Sequence, residues 1–197
     1  MTDESSVPTI DRSGWLAESP LTGVELSRAW TAEIDSWLTA LWGRACDETG
    51  LDRGMALVAV GSYGRRELSV QSDLDLLLLH DPSVDAEPAA QHLFYPVWDA
   101  GLKLGHAVRT VDEAVALAAD DLETATGLLD ARHVAGEVEL TETLALQAEA
   151  GWKANTKKNL PALRNALLEL HATNGEVAFL LEPDLKDSKG GLRDLHG

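Results

Sequence analysis

One cysteine, two methionines, two tyrosines, two phenylalanines and only 16 lysines plus arginines stand against 33 aspartates plus glutamates in this chain of 197 residues. Each scarcity excludes a class of protein. Cys46 has no partner within the chain, so no disulfide framework holds the fold, and a reducing compartment is implied. A net charge of −17 repels polyanions, and no stretch forms a basic stripe, which argues against general binding to nucleic acid or to an anionic membrane surface. The apolar runs Met55 to Val60 and Leu76 to Leu79 fall far short of the roughly 20 residues that a membrane-spanning helix requires. Met1 to Pro20 lacks a basic-then-apolar leader, so a cytoplasmic location is expected. What is present is a hydrophobic fraction of 45%, enough for a packed core in one domain, or in one domain plus part of a second.

Residues 1–21 mix Ser, Thr, Asp and Pro without periodicity and are expected to form a flexible tail. A capping-box pattern at Thr22 to Glu25 then opens a long amphipathic helix, with Leu26, Trp30, Ile34, Trp37, Leu38, Leu41, Trp42 and Ala45 at three- and four-residue intervals. Its tryptophans read as core. Met55 to Val60 and Leu74 to Leu79 read as buried strands, Ala86 to Ala100 as a helix ended by Gly101, and Lys103 to Arg109 as a third strand. A second capping box, Thr110 to Glu113, opens a helix to Ala119, and another runs from about Leu122 to Ala131. Thr141 to Leu170 has helical composition, with a break expected near Asn159 to Pro161. Glu182 to Gly197 is polar and glycine-rich, a loop. The pattern predicts an α+β fold, a small mixed sheet with flanking helices over residues 22–135, and a mainly helical segment over 136–197.

The chemistry concentrates between Val58 and Leu76. A strand runs into a Gly61-Ser62 turn, and twelve positions after Gly61 comes Asp73-Leu74-Asp75 on the next strand. Residues i and i+2 of a strand face the same side, so Asp73 and Asp75 stand side by side. Two adjacent carboxylates repel one another, and a hard cation such as Mg²⁺ relieves that repulsion. Gly61 permits close approach of backbone N–H groups and Ser62 adds a hydroxyl, a combination suited to a phosphate chain. An isolated Asp-x-Asp or Gly-Ser is most often a turn; the ordered combination points to metal-assisted phosphoryl transfer.

This segment resembles the nucleotidyltransferase domain of the polymerase-β superfamily, and more narrowly that of the PII signal protein uridylyltransferase/uridylyl-removing enzymes. Gly61, Tyr63, Gly64, Arg65, Glu67, Leu68, Ser72, Asp73 and Asp75 match that family's pattern; Ser62 and Arg66 stand where it usually has glycine. Trp98 to Thr110 is similar to its third-strand segment. Glu182 to His196 is similar to its Glu-Pro-Asn-Leu-Lys and Gly-Gly-Leu-Arg-Asp-Ile-His signature, the most specific part of the likeness. The resemblance implies Mg²⁺-dependent transfer of a nucleotidyl group from UTP or ATP to a tyrosine of a PII protein. Asp73 and Asp75 would be the catalytic metal ligands, with Gly61 and Ser62, and also Arg65 and Lys189, on the nucleotide phosphates. The superfamily's third carboxylate has no counterpart in Lys103 to Arg109, and Asp112 and Glu113 are explained by helix capping. His80-Asp81 reads as a strand exit and His106 as a core histidine. Full-length relatives carry a hydrolase domain and glutamine-sensing domains that do not fit here, so the chain is expected to be the transferase part. Three rivals remain: a glutamine-synthetase adenylyltransferase or drug-modifying enzyme, which should lack the Glu182 to His196 block; a non-catalytic domain of the same fold; and a polymerase, disfavoured by the charge.

Overall fold

The computed structural model describes residues 7–195. Four strands, β1 (Met55–Ala59), β2 (Leu74–His80), β3 (Leu104–Arg109) and β4 (Arg132–Gly136), form one sheet in the order β3-β2-β1-β4. β1 runs antiparallel to both β2 and β4, while β2 and β3 are parallel, so the sheet is mixed and the fold is α+β. The parallel step needs a crossover, which α4 (Glu87–Asp99) supplies. No helix among the described residues is long and apolar enough to cross a membrane.

β1 and β2 are apolar at nearly every position because both of their faces are covered. Leu57, Ala59, Leu74, Leu76 and Leu78 pack with Trp30, Ile34, Leu38 and Leu41 of α2 (Gly23–Thr49) and with Leu93, Phe94 and Val97 of α4. The alternate residues Ala56, Val58, Leu77 and Leu79 pack with Val111 and Ala114 of α5 (Val111–Asp120), Leu128 of α6 (Leu122–Leu129), and Leu144 and Ala148 of α7 (Val138–Ala154). The tryptophans at 30 and 37 are core, as their spacing predicts.

Four local features differ from the sequence reading. Residues 1–6 of the expected tail lie outside the described residues, but Arg12–Glu18 forms a helix, α1, capped by Asp11; Trp15 packs at 5.0 Å on Trp30, and Trp37 Nε1 donates to the Pro8 carbonyl at 2.9 Å. A few aromatic contacts order a segment too short to show periodicity. At Thr22 no side-chain capping bond forms, and Gly23 takes φ +58°. β4 has no signature in the sequence: it is five residues long and mostly half-exposed, so it offers neither an apolar run nor a clean alternation. The helical break falls at Asn155, whose side-chain amide donates to the Gly151 carbonyl at 3.0 Å, while Pro161 lies inside α8 (Thr156–Asn174). An asparagine that satisfies the backbone from its side chain competes with helix continuation, and one proline costs α8 a single backbone bond.

The chain divides into two compact units, Met1–Glu149 and Ala150–Gly197. In the second, α8 is followed by short 3-10 turns at Val177–Phe179 and Leu192–Leu195. Its loop is tied by its own polar groups. Ser188, buried, donates to the Asn174 carbonyl at 2.9 Å; the Asp184 carboxylate accepts from the N–H groups of Lys186 and Asp187; Asp194 accepts from Gly190 N–H at 2.7 Å and meets His171 Nε2 at 2.6 Å. Those N–H bonds, first from Asp187 at Asp184 and from Gly190 at Asp194, hold both carboxyl groups below the ordinary aspartate range.

Candidate active site

Asp75 lies near the start of β2 with a glycine on either side. In the parallel register it stands opposite Gly105 of β3, where a Cβ would be 2.4 Å from Asp75 Oδ1. On the other side a Cβ on Gly61 would be 3.4 Å from Asp75 Oδ2. The carboxylate therefore fills space that a side chain on β3 would take, and it lies against the turn that follows β1. Asp75 carbonyl accepts from Val60 N–H at 3.1 Å, tying the approach to that turn to the same residue. Asp73, one position before the strand, is more exposed, and its Oδ1 is 3.7 Å from Nζ of Lys103. Lys103 has no signature in the sequence, since an exposed lysine at a strand end carries no signal of its own.

The turn is a single helical loop, α3 (Gly61–Gly64), with Gly61 at φ +59°. Gly64 N–H and Arg65 N–H close back on the carbonyls of Val60 and Gly61, leaving the N–H groups of Gly61 and Ser62 outside the helical pattern. Gly64 is required by close approach, since a Cβ there would stand 2.1 Å from the Asp130 carbonyl oxygen. Arg66 takes φ +61°, a left-handed conformation, so the departure from the family's usual glycine falls where glycine is the natural residue. Arg65 is engaged: Nε meets Glu67 at 3.1 Å and Nη1 meets Asp130 at 2.5 Å. Burial works against its charge, but the bonds to Glu67 and Asp130 outweigh that and hold its pKa above the ordinary arginine value.

Beneath the turn lies a cluster that the sequence did not reveal. Arg132, first residue of β4, bonds Asp35 of α2 through both terminal nitrogens, at 3.0 and 2.9 Å, and also donates to the carbonyls of Tyr63 and Gly64, each at 3.2 Å. Tyr63, fully buried, donates its hydroxyl to Asp35 Oδ1 at 2.6 Å, and the guanidinium lies 5.0 Å from the ring centroid. Burial, reinforced by Asp35, pushes the phenol pKa far up, so Tyr63 is a permanent donor. Residues 35, 63 and 132 are far apart in sequence, and only their convergence identifies them. A bidentate arginine that also binds two turn carbonyls fixes the turn's position relative to the sheet.

No group of three His, Cys, Asp or Glu suited to a metal occurs among the described residues. Glu113 makes the capping box, accepting from Thr110 N–H at 2.8 Å and donating its own N–H to Thr110 Oγ1 at 3.2 Å, as the capping interpretation requires. His80 sits at the strand exit, with Nδ1 2.9 Å from the Asp81 carbonyl. His106 is exposed rather than core, packing against Phe94 at 4.8 Å and Trp98 at 5.3 Å. Lys189 lies in the second unit, paired with Glu176, which raises its pKa. A cavity of about 680 Å³ beside α2 and α4, lined by Ile10, Leu41, Arg44, His92 and Tyr95, contains neither aspartate.

The profile of glutamate-ammonia ligase adenylyltransferase matches residues 11–99, and that of GlnD PII-uridylyltransferase matches residues 158–197. A bifunctional uridylyltransferase/uridylyl-removing enzyme of Streptomyces coelicolor is 49% identical over 91% of this chain and 21% of its own length; one from Mycobacterium tuberculosis is 41% identical over 89% of this chain and 22% of its own; one from Caulobacter vibrioides is 36% identical over 91% and 20%. The chain thus spans about a fifth of the curated relatives it matches. Among solved structures, a toxin–antitoxin crystal structure with AMP-PNP covers 64% of this chain and 91% of its own at 12% identity and a TM-score of 0.37, a likeness too slight to add to the assignment. At 49% identity over 91% of its length, and with the uridylyltransferase profile over its final residues, the chain belongs to the bifunctional uridylyltransferase/uridylyl-removing enzyme family.

Proposed function

We propose that this chain transfers UMP from UTP to a tyrosine hydroxyl of a PII signal protein in the cytoplasm, with Mg²⁺ bound: the tyrosine oxygen bonds the α-phosphorus, its proton is lost, and pyrophosphate leaves. The observation that carries the reading is the placement of the Asp75 carboxylate between Gly61 of the turn and Gly105 of β3. Mg²⁺ is held by one or two carboxylates and completes its shell with water and substrate phosphates, so the pair Asp73 and Asp75 fits it without a third protein carboxylate. When bound, the ion would be held by Asp73 and Asp75 and would neutralise phosphate charge. The chain's own groups do the rest. The N–H groups of Gly61 and Ser62, with the Ser62 hydroxyl, bind the terminal phosphates; Arg132 and Asp35 hold the turn in place for them. Arg65 is proposed as a further phosphate contact, exchanging a carboxylate partner for phosphate oxygen. The net charge of −17 supports a protein acceptor over a nucleic acid.

A second donor, ATP, is favoured by one finding: the profile that covers the aspartate pair is that of an adenylyltransferase. Labelled UTP and ATP, each with Mg²⁺ and a purified PII protein or its acceptor Tyr→Phe variant, decide between them. Label from UTP on the tyrosine, lost in Asp75→Asn, is the expected result. Label from ATP alone establishes the second donor. No label from either, under conditions where the chain is folded, overturns the proposal in favour of a non-catalytic domain.

A further inference from the structure

We propose that edge strand β3 is the seat of the acceptor: an extended segment of the PII-type protein adds to the sheet as a fifth strand and places its tyrosine opposite Gly105. This rests on the function proposed above and specifies how its protein substrate is held.

β3 is the free edge of the sheet on the side of the aspartates. Leu74 N–H donates to the Lys103 carbonyl, which sets the phase of the parallel ladder: the backbone groups of Lys103, Gly105 and Ala107 face β2, and those of Leu104, His106 and Val108 face outward. These outward N–H and C=O groups have no partner among the described residues. Proteins usually blunt such an edge with a bulge, a proline or charges. The opposite edge, β4, carries a bulge, since Val134 is the extra residue between the pairs Leu57↔Ala135 and Val58↔His133. β3 is regular, and its six residues include no proline and a single charge, Arg109 at the end away from Asp75. It offers the template that strand-adding recognition uses.

Three observations identify the occupant as the tyrosine-bearing segment. A groove of about 580 Å³ runs beside this edge, lined by Ala107 and Arg109 of β3 and by Glu113 and Leu117 of α5, room for an extended chain. Flanking the other face of the edge are exposed aromatics, Trp98 (44% exposed) and Tyr95 (58%), with His106 edge-on to Trp98, the composition of a protein-binding surface. Finally, reach fits. Neighbouring strands lie about 4.8 Å apart, so an added residue opposite Gly105 is roughly 10 Å from the Asp75 backbone. A tyrosine leaning across the sheet brings its hydroxyl towards the Asp75 carboxylate and leaves space between them for a metal ion and a phosphate. Residues opposite one another share a sheet face, and Gly105 has no side chain to block that path. A shorter hydroxyl residue, serine or threonine, would stop short of Asp75.

Amide hydrogen exchange on the 197-residue chain, with and without a PII protein, tests this. Slowing of the His106 and Val108 amides by tenfold or more on adding PII, or its acceptor Tyr→Phe variant, is expected, and Mg²⁺ with UTP alone should leave them unchanged. Unchanged exchange at a PII concentration that saturates transfer overturns the inference while leaving the transferase reading intact. Slowing that grows with chain concentration in the absence of PII assigns the edge to a second copy and also overturns it. If PII neither binds nor accepts label, both readings fall. As a kinetic check, His106→Pro removes an outward N–H and leaves the β2 ladder, and His106→Ala removes the same imidazole but keeps the N–H. The proline variant should raise the acceptor KM at least tenfold over the alanine variant with the UTP KM unchanged; equal acceptor KM values in two folded variants would count against an added strand. Should the proline variant not fold, the exchange result decides.

Discussion

Gly105 and Asp75 face each other across the β2–β3 ladder so closely that a single methyl on Gly105 would come within 2.4 Å of the carboxylate oxygen. The atom it would meet is the end of a flexible side chain, so the carboxylate can turn aside at little cost to folding. Gly105→Ala should therefore separate activity from stability: transfer falls about 100-fold, because misplacing a reacting group by about 1 Å has that scale of effect, while the melting temperature stays near wild type. Initial rates and thermal unfolding of the same preparation check this; an alanine variant with normal turnover would remove the carboxylate's position from the mechanism.

Arg66 occupies a left-handed conformation at φ +61°. For a non-glycine residue this costs about 1–2 kcal/mol, and glycine gives back about 0.5–1 kcal/mol in backbone entropy. Arg66→Gly should stabilise the protein by about 0.5–1 kcal/mol, measured as a rise in the urea midpoint at constant slope. A destabilised variant would mean that the Arg66 side chain makes a contact worth more than the strain.

The cluster of Asp35, Tyr63 and Arg132 should behave as a unit. Its carboxylate and guanidinium are mostly but not wholly covered, with 25% and 16% of each side chain exposed, so breaking it should cost less than a fully buried pair. Arg132→Lys, which cannot reproduce four bonds, is expected to lose about 2 kcal/mol, and Tyr63→Phe about 1.5 kcal/mol, from a hydrogen bond to a charged group. Because the residues share partners, the double variant should lose less than the sum, by about 1 kcal/mol. Urea unfolding of the four proteins completes the cycle, and strict additivity would show that the bonds act separately.

His133 packs in β4 with Nδ1 3.1 Å from Thr141 Oγ1, and burial, aided by neighbouring Arg132, lowers its pKa below the ordinary value of 6.5. The unfolded chain then binds the proton more readily than the folded one. The stabilising contribution is complete above pH 6.5 and is lost as pH falls through the lowered folded value. Unfolding free energy should decline from neutrality toward pH 5, with a shallower decline in His133→Gln. Parallel pH profiles for the two proteins would place the dependence elsewhere.

Much of this protein was written in the sequence because it depends on local chemistry. Doubly apolar runs made β1 and β2 recognisable, three- and four-residue spacing marked α2, and Thr110 with Glu113 built the capping box that their spacing requires. Gly61, Ser62, Asp73 and Asp75 were legible as a motif because a turn and an i, i+2 strand pair are short-range objects. Other features depended on what comes from far along the chain. α1 is ordered by Trp15 on Trp30, and β4 exists because β1 offers it an edge. Glycine 105 looks like any strand glycine until the parallel register sets it beside Asp75, and Arg132 looks like a surface arginine until the fold brings it to Asp35 and the carbonyls of the turn. Periodicity encodes which face of an element is buried, whereas side-chain convergence across residues 35, 63, 75, 105 and 132 depends on register and crossing geometry, which only the assembled sheet decides.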